Sequence, residues 1–252
     1  MLKYSLYAKE QFNKKGYDIL KSDFFKGAYH GIPIALGYLS VSFGFGILAV
    51  KSGLSILTAA IISITNLTSA GQVAGVGIIA TSGTILEMIL TQLIINIRYS
   101  LMALSLSQKL DNSFNTPKRL IASYGITDEI FAVASAQTKP ITPSYMYGLI
   151  AISFLGWSSG TIIGAAAGEL LPVAVTNAMG IVLYGMFIAI IIPPARKERN
   201  VLFVVSVAGG LSVMFKYLLP TLSSGFAIII SALVASALGA LLFPIDNKEA
   251  EE

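Results

Sequence analysis

Runs of about twenty residues with almost no charge recur along this chain, and they restrict what it can fold into more than any motif does. They extend from Ile32 to Val50, Ile85 to Leu106, Tyr145 to Ala167, Val173 to Ile192, Val201 to Leu219 and Phe226 to Phe243. A helix rising about 1.5 Å per residue crosses the hydrocarbon core of a bilayer in roughly 20 residues, so each run is long enough to span. Only 12% of the 252 residues are charged and 55% are apolar, whereas soluble domains carry about 25% charged residues. The expected fold class is therefore all-α: a polytopic transmembrane helical bundle of about six to eight membrane helices, including broken or re-entrant segments.

The organisation expected is an N-terminal tail (1–26), one membrane domain (27–243) and an acidic C-terminal tail (244–252). The first tail is polar and carries Lys3, Lys9, Lys14, Lys15, Lys21 and Lys26, so no signal-peptide core follows the initiator. The absence of cysteine rules out disulfides, thiolate catalysis and cysteine-ligated metal, and a single histidine, His30, rules out a histidine-rich metal site. Neither a GxxxxGK[ST] phosphate loop nor HExxH occurs. The chain reads as a non-enzyme without cofactor or metal. Its net charge of +4 suits lipid headgroups rather than nucleic acid.

Lysine and arginine favour the cytoplasmic side, and here they cluster in the first tail, between Lys109 and Arg119, and at Arg196, Lys197 and Arg199. Placing all three clusters inside puts both termini in the cytoplasm. On that count the segment from Leu54 to Thr81 must begin and end outside, as a re-entrant pair of half-helices. Ile126 to Ala136, too short to cross, dips from the inside. The rival count makes Leu54 to Thr81 one long kinked crossing and sends the Lys109 cluster outward. A possible internal repeat relates Leu48–Ser55 (LAVKSGLS) to Ala165–Pro172 (AAAGELLP).

Polar residues interrupt the apolar pattern at few places. Residues 66–72 read NLTSAGQ, so side-chain hydrogen-bonders and glycine coincide where helical backbone is least secure. Non-helical backbone at membrane depth survives when buried in protein or lining a watery cavity. Asn66, Thr68, Ser69, Gly71 and Gln72 are thus a candidate substrate cradle: half-helix N–H groups attract a carboxylate and unwound carbonyls an ammonium. The alternative is close helix packing through small residues. In the following span, 100° per residue places Glu87, Thr91 and Arg98 on one stripe and Gln92, Asn96 and Tyr99 on another; Gln92 and Asn96 join the candidate substrate-binding residues, and Glu87, Arg98, Asp128 and Glu129 are candidates for a charge or coupling network. Glu87 and Arg98 lie about 16 Å apart along the axis and cannot pair directly. A mid-membrane arginine costs at least about 2.5–3.5 kcal/mol on insertion scales, so Arg98 is either functional or a structural lock. Thr127-Asp128-Glu129 reads as a helix N-cap with acidic residues in the first turn, and Asp128 or Glu129 is a candidate partner for Arg98 or a proton acceptor. Gly160, Gly164 and Gly168 form one small-residue stripe, and Ser231, Ala235 and Gly239 another.

The glycine-flanked first span, NLTSAGQ, Asn96-Ile97-Arg98-Tyr99 and Thr127-Asp128-Glu129-Ile130-Phe131-Ala132 together resemble the AzlC family. The resemblance covers roughly Phe25 to Phe243, with its distinctive residues before Gln137. Tyr99 departs from the family pattern, in which histidine usually follows the arginine. The resemblance implies the large subunit of an exporter of the branched-chain amino acids valine, leucine and isoleucine, coupled to an ion gradient. It also implies a separate small membrane subunit of AzlD type, for which the small-residue stripes are docking faces, as they would be in a higher oligomer. The alternatives are a transporter or channel-like subunit for another small solute, and a structural membrane scaffold.

Overall fold

The computed structural model describes residues 2–168, 172, 174, 185, 188 and 191–244, with side chains from Ser22 onward, and its regular elements are all α-helical. In chain order they are α1 (Leu2–Lys51), α2 (Ile56–Thr65), α3 (Ser69–Ala80), α4 (Ile85–Ser107), α5 (Thr116–Tyr124), α6 (Asp128–Ser135), α7 (Pro143–Gly168), α8 (Arg199–Leu218) and α9 (Ser224–Leu242). Five described segments are long and apolar enough to cross a membrane: Ser22–Lys51, Ile85–Ser107, Pro143–Gly168, Arg199–Leu218 and Ser224–Leu242. The span expected from Val173 to Ile192 lies largely outside the described residues, and with it the continuation of the internal repeat. Helix α1 runs unbroken from Leu2 to Lys51, as a lysine-rich first segment with no proline before Pro33 permits.

Helices α1 and α7 form the spine and run parallel. Gly156 abuts Ala35, Gly160 abuts Leu39 and Gly164 abuts Phe43, so contacts rise in register along both helices. A Cβ at position 160 would lie 2.1 Å from Ser42 Oγ and 2.5 Å from the Leu39 carbonyl oxygen. Only glycine lets the two backbones approach this far, so this stripe is spent inside the chain.

Helix α4 runs the opposite way. Just beyond its C-terminus the Asp111 N–H donates to the Ile141 carbonyl at 3.0 Å and the Ile141 N–H to the Lys109 carbonyl at 2.8 Å, which pins that end beside the start of α7. Its start therefore lies at the end of the bundle where α1 and α7 finish. Helix α2 begins directly after α1, and α3 joins the start of α4 through a tight turn in which Ser82 has φ 54°. So α2 and α3 enter and leave at the Lys51 end as a re-entrant hairpin, and the single kinked crossing is excluded. Phe45, Ala49, Leu54, Ala59, Val76 and Ala165 pack together there.

Helices α5 and α6 make a second hairpin from the Pro143 end. The Lys109 ammonium donates to the Ser135 carbonyl, holding the end of α6 beside the end of α4. The short dip expected at Ile126–Ala136 is the returning arm, and α5 is an entering arm absent from the sequence reading. The two hairpins meet tip to tip: the Tyr124 hydroxyl donates to the Ile64 carbonyl, and Leu67, Ile126, Ile130, Tyr38 and Trp157 share one buried cluster. Helices α8 and α9 form an antiparallel pair in which Gly239 meets Val204. The Ser231–Ala235–Gly239 stripe is accordingly buried at Ser231 and Ala235.

Candidate functional site

The site is built where both hairpins break. Between α2 and α3 the backbone is extended at Asn66 and Thr68, which cap the end of one half-helix and the start of the next. The Thr68 hydroxyl accepts from the Gly71 N–H at 3.3 Å and donates to Asn96 Oδ1 on α4 at 2.6 Å. Between α5 and α6, Thr127 is the corresponding extended N-cap, its hydroxyl accepting from the Ile130 N–H at 3.3 Å. Each tip therefore presents the N-terminus of a half-helix, with its partial positive charge, to the middle of the bundle.

The sequence-predicted cradle divides in two. Gln92 Nε2 donates to the Gly71 carbonyl at 2.7 Å and Asn96 Nδ2 donates to Gln92 Oε1 at 3.1 Å, so Thr68, Gly71, Gln92 and Asn96 form a polar clasp between α3 and α4. Gln72 points elsewhere: only 1% exposed, it donates at 3.2 Å to Ser63 on α2, which in turn bonds Thr161 on α7 at 2.7 Å. The N–H of Asn66 returns to the Ile62 carbonyl at 2.9 Å as the cap of α2. Of the cradle residues, Ser69 lines the central cavity.

That cavity lies on the other side of the tips and is bounded by Tyr38, Leu67, Ser69, Tyr99, Thr127, Asp128, Glu129 and Trp157. Its free space is about 10 Å³, room for roughly one water. Arg98 of α4 bonds one of its walls: Nη1 donates to Asp128 Oδ1 at 2.7 Å, forming an ion pair. The guanidinium also lies over the Tyr99 ring, 5.0 Å from its centroid. Glu129 takes no part in the ion pair. Its Oε2 accepts from the Tyr38 hydroxyl at 2.5 Å, and Tyr38 Oη is also 2.6 Å from Thr127 Oγ1. Trp157 stands edge-on to Tyr38 with ring centroids 5.2 Å apart.

Glu87, grouped by its stripe with Arg98, is placed elsewhere. It is 2% exposed at the Lys51 end, where Oε1 accepts from the Ser223 hydroxyl at 2.6 Å and the Gly225 N–H at 2.9 Å. It anchors the N-terminus of α9 to α4 and contributes nothing to a charge network around Arg98. A stripe fixes a helix face but not the depth or the partner, which is why the grouping fails. Conversely, Tyr38 and Trp157 are cavity residues that sequence reasoning did not select. The available signal was aromatic residues carrying polar atoms inside otherwise apolar spans, which need a partner when buried. Among the described residues no three His, Cys, Asp or Glu side chains converge as a metal site would require.

Comparison with known proteins follows the same region. The family described as AzlC protein matches residues 33–171, which hold both hairpins. An inner membrane protein of Escherichia coli strain K12, YgaZ, is 26% identical over 227 residues, covering 87% of this chain and 90% of that protein. An uncharacterized membrane protein of Archaeoglobus fulgidus is 31% identical over 219 residues, covering 85% and 93%. Another, from Helicobacter pylori strain J99, is 27% identical over 189 residues, covering 73% and 80%. No solved structure matches.

Proposed function

The chain belongs to the AzlC family, and from that premise we propose that it is the large subunit of an exporter of branched-chain amino acids in a prokaryotic plasma membrane, driven by an ion gradient. One observation carries the reading: two half-helix hairpins enter from opposite ends and meet at Asn66–Thr68 and Gly125–Thr127, beside the Arg98–Asp128 pair. Discontinuous helices meeting in mid-membrane supply polar backbone ends where a solute needs them, and transporters bind at such breaks. A scaffold gains nothing from carrying that cost.

The chemistry of the meeting point suits an amino acid with an apolar side chain. Helix N-termini and Arg98 attract a carboxylate, Glu129 attracts an ammonium, and Leu67 and Trp157 offer apolar surface. In the conformation described, the cavity admits little more than one water, so the hairpins must part to receive substrate. Both termini are assigned to the cytoplasm on the charge rule, and a small AzlD-type membrane subunit completes the exporter.

Peptide feeding tests the proposal. Cells expressing this chain together with a small AzlD-type subunit should hold less intracellular valine, leucine and isoleucine than cells lacking either. Equal levels in all strains would overturn it.

A further inference from the structure

We infer that Glu129 is a proton-binding site of this protein, with Tyr38 and Thr127 built to satisfy it in both protonation states. The inference deepens the transporter reading and rests on it for the use to which the proton is put. Its physical basis is separate.

Two carboxylates stand side by side at the tip of α6, and they have different surroundings. Asp128 is neutralised by Arg98 at 2.7 Å. Glu129 has no cation among the described residues, and its one hydrogen bond is from Tyr38 at 2.5 Å. Besides Glu129, the titratable groups lining the cavity are Tyr38 from α1, Tyr99 from α4 and Asp128 from its own helix, with Arg98 of α4 bonded to Asp128, while α7 contributes Trp157. Arg98 is already committed. A second carboxylate at this depth is therefore one negative charge in excess, and at bilayer depth such a group is protonated or has a bound cation.

The hydrogen bonds around Tyr38 can be written for either form without moving a heavy atom. Tyr38 Oη has one proton and two oxygen neighbours, Glu129 Oε2 at 2.5 Å and Thr127 Oγ1 at 2.6 Å. With Glu129 ionised, Tyr38 donates to Oε2 and accepts from the Thr127 hydroxyl. When a proton from water adds to Oε2, the new O–H donates to Tyr38 Oη, whose own proton turns to Thr127 Oγ1. Thr127 Oγ1 can accept in either arrangement because the Ile130 N–H uses only one of its lone pairs.

An independent feature points to the carrier. Trp157 lines the same cavity, is 2% exposed, and its indole N–H has no acceptor among the described residues. A cavity of about 10 Å³ beside that donor and Glu129 fits one water, the species that delivers a proton, and is too small for a hydrated metal cation.

Infrared difference spectroscopy on the full chain in phosphatidylethanolamine–phosphatidylglycerol vesicles, without substrate, tests this across a pH titration. A protonated-carboxyl C=O band should titrate, vanish in Glu129→Gln, and persist in the charge-neutral double variant Arg98→Gln/Asp128→Asn. In Tyr38→Phe the band should remain and its C=O frequency should shift, because the protonated carboxyl loses the Tyr38 oxygen that accepts its hydrogen bond. If Glu129→Gln does not fold, Glu129→Asp replaces it, and a displaced band is the expected result. A band unchanged in the Glu129 variants, a C=O frequency unmoved in Tyr38→Phe, or a band that responds to sodium in place of pH would overturn the assignment. Because no substrate is present, a failed export assay leaves this result intact, and the converse holds too.

Discussion

Substituting Asp128 with Asn should destabilise the protein more than substituting Asp128 and Arg98 together. The pair is bonded at 2.7 Å, with side-chain exposures of 41% for Arg98 and 29% for Asp128. Breaking a fully buried pair by removing one partner costs about 3–5 kcal/mol, largely because the survivor keeps its charge without compensation. Partial exposure reduces that, and about 2 kcal/mol is the reasonable expectation here. At roughly 2–4 °C per kcal/mol for a chain of this size, the apparent Tm in detergent should fall by about 4–8 °C in Asp128→Asn. Arg98→Gln/Asp128→Asn buries no unpaired charge and should recover at least half of that loss. The measurement is thermal unfolding followed by size-exclusion monodispersity, with all variants in one detergent. If Asp128→Asn unfolds no earlier than the parent, or the double variant is the least stable of the set, the pair does not hold the α6 tip to α4.

Three other outcomes follow from the packing. The chain has no cysteine, so single Ser52→Cys and Ser82→Cys variants should both react with a membrane-impermeant maleimide from one side, and Ser113→Cys from the other. Labelling of positions 52 and 82 from opposite sides would contradict the re-entrant α2–α3 hairpin. Gly160→Val should abolish monodisperse protein, since even a Cβ there lies 2.1 Å from Ser42 Oγ, while Gly209→Val, with nothing within 4 Å of its Cβ site, should be tolerated. Glu87→Ala leaves the Ser223 hydroxyl and the Gly225 N–H without their acceptor and should cost about 2 kcal/mol of stability, with the substrate concentration dependence of export unchanged.

How much of this was legible beforehand depended on range along the chain. The spans follow from composition, and the break at residues 66–68 follows from Asn, Thr and Gly interrupting an apolar run, because both signals are local. The tip at Thr127 was legible as an N-cap for the same reason. Helix α5 was not, because Thr116–Tyr124 contains Pro117, Lys118 and Arg119 and reads as a loop; only the second hairpin tip, fixed by Tyr124 on Ile64, gives it a membrane role. The cavity was illegible for a different reason. Tyr38 meets Thr127 and Glu129 across separations of 89 and 91 positions, and no periodicity in α1 says which distant element its hydroxyl will find. Arg98 could be paired in advance with either neighbouring carboxylate, and only the geometry separates Asp128, which it neutralises, from Glu129, which it does not.

Both hairpin tips are fastened to the same short stretch of α4. Thr68 of the α3 tip bonds Asn96, and Asp128 of the α6 tip bonds Arg98, two positions further along. Two residues along a helix differ by about 200° in direction and 3 Å in rise, so the tips grip nearly opposite faces of α4 at one depth. Sliding or turning α4 therefore strains both fastenings at once, and neither tip can leave the centre without changing what holds the other. In a transporter whose access alternates between the two sides, that is the coupling required: the hairpin open to one end and the hairpin open to the other answer to a single element. Glu87 adds α9 to the same element at the Lys51 end through Ser223 and Gly225. Glu87 and Arg98 share a stripe but are too far apart to pair, and each fastens α4 to a different partner: one to the outer pair of helices, the other to the α6 tip.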